Sequence, residues 1–132
     1  MNFERFVEIS RALVPSKWCN KSFHTTFILR KGKIQSIGVN SDKTHPSILK
    51  YNYKGSDGAD IRPFVGLHSE LSAVLKYGEE DCSSCTFINI RIDKNGELNM
   101  SKPCVGCQHL LEQVGFKRLY FSTPTGDFEE WV

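Results

Sequence analysis

The stretch SKPCVGCQHLLEQVG, residues 101–115, decides how the rest of the chain is read. Cys104 and Cys107 stand three apart where an amphipathic helix begins. Ser101 is a capping candidate and Pro103 suits a first turn. Leu110, Leu111 and Val114 continue a buried stripe from Cys107, and Gly115 closes it. Residues at i and i+3 share a face, so both sulfurs reach one point and are expected to face inward, toward a sheet. A helix N-terminus also favours the thiolate, the metal-binding form of cysteine. A pair of this kind serves as a redox dithiol, as half of a structural zinc ribbon, or as half of a catalytic metal site. The four residues 104–107 do not choose among these.

Working outward, FKRLYFS (116–122) reads as a strand, TPTG (123–126) as a turn and DFEEWV (127–132) as a last short strand. Upstream, CTFINIRI (85–92) alternates Phe87, Asn89 and Arg91 against Ile88, Ile90 and Ile92, a strand. Asn95-Gly96 then marks a turn with a short returning segment. In GLHSELSAVLKYG (66–78), Leu67, Leu71, Val74 and Leu75 fall on one helical face and Gly78 ends it. SFHTTFILRKGKIQSIGVN (22–40) predicts a β-hairpin about the turn Lys31-Gly32-Lys33. FERFVEISRALV (3–14) predicts a helix closed by Pro15. The polar, Pro- and Gly-punctuated segment from Ser41 to Phe64 is a long loop of the kind that serves as a lid or an interface. The order α-β-β-α-β-α-β-(β) indicates an α/β layered domain.

The totals agree. The 132 residues suit one domain, 1–132, and the net charge of +2 carries no argument for nucleic acid or membrane by itself. No stretch approaches the roughly 20 apolar residues of a membrane span, and the start resembles no signal peptide. Five cysteines, an odd count, argue against a disulfide framework and for a reducing, cytoplasmic setting.

A catalytic zinc takes three protein ligands and keeps one position open for water. The third ligand is available from the other core helix: His68 stands at its start, with Glu70 two residues on. His68-Ser69-Glu70 followed by Pro103-Cys104-Val105-Gly106-Cys107 reproduces the H-x-E … P-C-x-x-C pattern of zinc deaminases acting on nucleobases. Zinc brings bound water toward neutral pKa. An unligated carboxylate beside it, here Glu70, carries protons to the ring nitrogen and the leaving amine.

On these residues and this order of elements the chain resembles the cytidine deaminase-like superfamily over most of its length. The resemblance implies a three-layer α/β/α fold with a mixed central sheet of four to five strands. It implies Zn2+ on His68, Cys104 and Cys107, between the N-termini of the two core helices, with Glu70 as proton shuttle while hydroxide attacks C4 of a cytosine. It also implies that Asn40, after the second strand, contacts the substrate sugar, and that the protein forms a homo-oligomer. Ser69 and Pro103, inside the two motif halves, are expected beside the substrate. Phe23 and Tyr120 are candidates to flank the base, and His45 to face it. The ending TPTGDFEEWV is similar to the branch with a C-terminal β-hairpin, which includes free-nucleoside cytidine deaminases and some toxins acting on nucleic acid.

The substrate expected first is a free cytosine nucleotide or nucleoside, dCMP-like. A single-stranded DNA or RNA substrate is the alternative, with Lys31, Lys33, Lys50, Tyr51, Tyr53 and Lys54 as a basic and aromatic groove. Lys43 and Arg62 are candidates to receive a phosphate. A non-enzymatic reading also stands: Cys82-x-x-Cys85, eighteen residues, then Cys104-x-x-Cys107 fits a zinc-ribbon interaction domain. A ribbon leaves His68 and Glu70 unexplained.

Overall fold

The structure, a computed structural model, describes residues 2–15, 22–41 and 68–131. Among them run α1 (Glu4–Leu13), β1 (Ser22–Arg30), β2 (Lys33–Val39), α2 (Ser69–Tyr77), β3 (Thr86–Asp93), β4 (Leu98–Asn99), α3 (Val105–Val114), β5 (Arg118–Ser122) and β6 (Phe128–Glu130). The strands form one mixed sheet in the order β2-β1-β3-β5-β6, with β4 paired to β3 off that path. β3 and β5 are parallel and the other pairs antiparallel. Six strands stand where four to five were expected, because Leu98 and Asn99 fold back onto Ile92 and Arg91. That return is made at Gly96, whose φ of 80° is open to glycine.

The first hairpin closes through two residues, Lys31 and Gly32, with φ of 52° and 76°, while Arg30 and Lys33 pair across it. Positive φ at both central positions is the type I′ pattern, whose twist matches the strands it joins. The last two strands make the expected C-terminal hairpin, with Ser122 opposite Phe128.

Strand alternation sorts the core into two layers. Phe27, Leu29, Ile88, Ile90 and Ile92 meet Phe6 and Val7 of α1 on one face. Ile28, Phe87, Leu119 and Phe121 meet α2 and α3 on the other. Leu110, Leu111 and Leu119 are fully buried, each contributing about 1.5–3 kcal/mol. α3 is the crossover between parallel β3 and β5, which returns its N-terminus to the end of β3.

α2 lies unusually close to β2. A Cβ at Gly38 would overlap the backbone N of Ala73 and the carbonyl of Ser69. Ser36 Oγ donates to Ala73 O at 2.8 Å beside it. These contacts set the depth of the first turn of α2, and so the height of the residues at its N-terminus.

Candidate metal centre

Two helix N-termini converge at the site. His68 is the extended N-cap residue of α2, and Cys104 is that of α3. Ser101, expected as the cap of α3, is instead drawn into the sheet, its hydroxyl donating to Asn89 O at 2.8 Å. The Cys104 sulfur does the capping, accepting the Cys107 N–H at 3.5 Å.

His68 Nδ1 stands 3.5 Å from Cys104 Sγ and 3.3 Å from Cys107 Sγ. The ligand atoms of all three residues lie within 4.8 Å of one another. Two sulfurs and one imidazole nitrogen form a zinc-type donor set. Tetrahedral ligation, with Zn–N near 2.0 Å and Zn–S near 2.3 Å, separates N from S by about 3.5 Å, so the residues fit the ion. Cys107 is buried and Cys104 exposed, so only the second thiol has the fully inward position expected of both. The hydrogen bond from Cys107, with those from His68 and the Cys107 N–H, holds the Cys104 thiol down at about 3. Cys104 is therefore a ready thiolate. The Cys104 sulfur in turn raises His68 above its ordinary value, against the effect of burial.

Glu70 is only 6% exposed and is not one of the three clustered donors. Burial pushes its carboxyl above the usual range, partly opposed by the charge of His68. Its Oε1 accepts from Ser69 Oγ at 3.1 Å and its Oε2 from Asn89 Nδ2 at 3.2 Å. The carboxylate thus sits beside the cluster with both oxygens oriented, as a proton carrier needs.

A cavity of about 190 Å³ opens over these groups, lined by His68, Cys104, Glu70, Ser69, Asn40 and His24 together with Ser101 and Lys102. Among the described residues, that volume has room for a single ring. Asn40 is locked from both sides: its Oδ1 accepts the His24 N–H at 3.0 Å, and its own N–H donates to His24 O at 3.2 Å. Its Nδ2 is a further donor on a residue that lines the cavity. Burial first, then the charges of Arg91 and His68, bring His24 down to about 4, so it is neutral at neutral pH.

The sequence candidates divide accordingly. His68, Glu70, Cys104 and Cys107 come together, and Asn40 and Ser69 line the same cavity. The Ser69 hydroxyl is turned inward, toward Glu70 and Thr26, the latter at 2.8 Å. Pro103 is buried and does not line the cavity; its carbonyl accepts Gln108 Nε2 at 2.8 Å. Phe23 and Tyr120 are corrected. Tyr120 alternates with Leu119 and Phe121 and so faces α1, its ring 5.3 Å from that of Phe3. Phe23 lines a separate cleft with Leu13 and Val39. His45, Lys43, Lys50, Tyr51, Tyr53, Lys54, Arg62, Cys19 and the loop from residue 42 to 64 lie outside the described residues.

The zinc ribbon is also corrected. Cys82 and Cys85 are fully buried core residues, and the Cys82 N–H donates to Val114 O at 2.7 Å. They stand at the C-terminal end of α3 while Cys104 stands at its N-terminal end. Ten helical residues, about 15 Å, separate those ends, so four sulfurs cannot share one ion. Burial also pushes the Cys82 thiol up to about 12, the reverse of a ligand.

His24, Thr26 and Asn89 escaped the sequence reading as site residues. Their one signal was polarity at inward positions of otherwise apolar strands.

No protein-family model matches the chain, and no curated protein matches it by sequence. Solved structures do. The fold is similar to a cytidine deaminase from Burkholderia pseudomallei, with a TM-score of 0.59 and 12% identity over 99% of this chain and 92% of that one. It is also similar to a cytidine deaminase from Mycobacterium leprae, with a TM-score of 0.50 and 19% identity over 96% and 87%. The chain thus has a cytidine-deaminase-like fold, an α/β mixed sheet flanked by helices, with a His/Cys/Cys cluster resembling that family's zinc-binding motif. Among the described residues, no helix is long and apolar enough to cross a membrane.

Proposed function

We propose that this protein is a zinc-dependent hydrolytic deaminase that converts cytosine to uracil in a free nucleotide or nucleoside. The observation that carries the reading is the pairing of a three-donor His/Cys/Cys cluster with a buried carboxylate, Glu70, that is not one of the donors. His68, Cys104 and Cys107 would hold zinc, which supplies the Lewis acidity that makes water nucleophilic near neutral pH. The rest is done by side chains. Glu70 takes a proton from the attacking water and delivers it to N3 of the ring. It then moves the second proton to the exocyclic amine, which departs as ammonia. Asn40 holds the sugar through Nδ2. Neutral His24 bounds the cavity without adding charge beside the cluster.

The single-ring cavity supports a base-sized reacting group, and the C-terminal hairpin supports the branch that includes free-nucleoside enzymes. Assembly into a homo-oligomer belongs to the same reading. The test is deamination of dCMP, CMP, deoxycytidine and cytidine by the purified, zinc-loaded protein, beside a cytosine-containing single-stranded oligonucleotide. Glu70→Gln is expected to keep zinc and lose at least about 100-fold in kcat. Cys104→Ala is expected to lose the metal. Turnover of the oligonucleotide alone would transfer the reading to a nucleic-acid deaminase.

A further inference from the structure

Asn89 is an anomaly in its strand. Phe87, Ile88 and Ile90 around it are fully buried and apolar, and Asn89 itself is 2% exposed. A buried amide costs free energy unless its hydrogen bonds are made, and here they are. Nδ2 donates to Glu70 Oε2 at 3.2 Å and to Ser101 O at 3.3 Å. Both partners are acceptors, so the nitrogen must face them and the amide has one orientation. Oδ1 then faces Thr26, whose hydroxyl lies 2.8 Å away. Thr26 is the direct cross-strand partner of Asn89 in the β1–β3 register. Thr26 Oγ1 also lies 2.8 Å from Ser69 Oγ, and Ser69 Oγ donates to Glu70 Oε1. The four side chains are thus neighbours around one circuit: Ser69 and Asn89 each donate to one oxygen of the Glu70 carboxylate, and the single Thr26 hydroxyl proton goes to Asn89 Oδ1 or to Ser69 Oγ.

Asn89 Nδ2 also ties this group to the carbonyl of Ser101. Ser101 is fastened to the sheet through Asn89 O and the Ser122 backbone. Three residues later the chain reaches Cys104. One amide group thus joins the carboxylate carried by α2 to the segment that carries the cysteine ligands.

We infer that Asn89, supported by Thr26, is a positioning residue that fixes the Glu70 carboxylate relative to the His68/Cys104/Cys107 cluster. This rests on the deaminase reading of the site. Asn89 does not line the cavity and is not one of the clustered donors. The Ser101 segment keeps its bonds to Asn89 O and the Ser122 backbone when the amide is removed, so the effect is expected through Glu70. Removing the amide releases Oε2, leaving the carboxylate held only at Oε1 by Ser69 and by the backbone. A misplacement of this kind lowers the rate of proton transfer and leaves substrate and metal binding in place.

The test is steady-state kinetics on zinc-loaded protein with its zinc content measured. Asn89→Leu keeps much of the volume and removes the donors. It is expected to lower kcat about 100-fold with KM changed less than about threefold and zinc content as in the wild type. Thr26→Val removes the hydroxyl behind the amide and is expected to lower kcat about tenfold, which Thr26→Ser largely restores. A purely structural role would instead lower activity in proportion to zinc content or folded fraction. Should Asn89→Leu not fold, the Thr26 pair carries the test. Wild-type kcat in Asn89→Leu or Thr26→Val, with Glu70→Gln inactive, overturns the positioning role and leaves the deaminase reading standing. A wild type that deaminates nothing in the panel overturns both.

Discussion

Cys104 shows how much one residue does here: it ends the extended segment from the sheet, caps α3 through its sulfur, and presents that sulfur to His68. Its place at the helix start beside Cys107 was legible because ligand spacing and helix-start chemistry are both local in sequence; its capping of α3 was not, since Ser101 was expected there. His24, Thr26 and Asn89 were not legible as site residues. They reach the site through the pairing of strands far apart in the chain, and nothing in their immediate neighbours announces that register. His24 gives a residue-scale prediction. Its folded value, about 4, lies below the ordinary 6.5, depressed first by burial and then by Arg91 and His68. The unfolded chain takes up the proton first as pH falls. The contribution of His24 is therefore fully present above about 6.5 and is lost as pH falls toward 4. Between pH 7 and 5 this amounts to about 2 kcal/mol. Urea unfolding of the wild type and His24→Gln at both pH values should show the wild type losing more stability by that margin. Parallel losses would refute the assignment.

At the scale of elements, periodicity was informative: the three helices, the hairpin and the β3 strand lie where their apolar spacing puts them. Two features were less legible. Asn95-Gly96 announced a short returning segment, but its two residues carry no pattern that marks them as a further strand of the sheet. Ser101 looked like a helix cap because capping residues and strand-bridging serines are the same residue type, and the sheet competes for the hydroxyl. The contact of α2 on β2 is the element most sensitive to change. Gly38→Ala places a methyl against Ala73 and Ser69 backbone atoms that have no side-chain freedom to yield. The expected cost is about 3 kcal/mol, the upper part of the usual overpacking range. Because α2 must move outward and take His68 with it, zinc affinity should fall as well. Calorimetry and a zinc competition titration would check both. A Gly38→Ala protein with unchanged melting temperature and zinc affinity would contradict the close approach.

For the whole molecule, the layered fold and the cluster support each other: the sheet fixes where the helices start, and a bound ion would fasten those starts together. Zinc that binds only the folded state should stabilise it by about 4 kcal/mol at a free concentration a thousand times its Kd. A chelator should lower the melting temperature correspondingly, and an unchanged melting temperature would mean that the cluster does not hold the ion. The fold class was legible because both motif halves fall at helix starts separated by one strand. The substrate was not, because the candidate substrate contacts His45, Lys43 and Arg62 stand in a stretch, residues 41–64, that is long, polar and without periodicity.

The most direct measurement is the rate of uracil formation from dCMP, CMP, deoxycytidine and cytidine by zinc-loaded wild type and Glu70→Gln. The expected result is turnover of at least one of these by the wild type, with Glu70→Gln reduced at least about 100-fold at equal zinc content. The contradicting result is a zinc-loaded wild type that forms no uracil from any of them, or a Glu70→Gln protein that works as fast as the wild type.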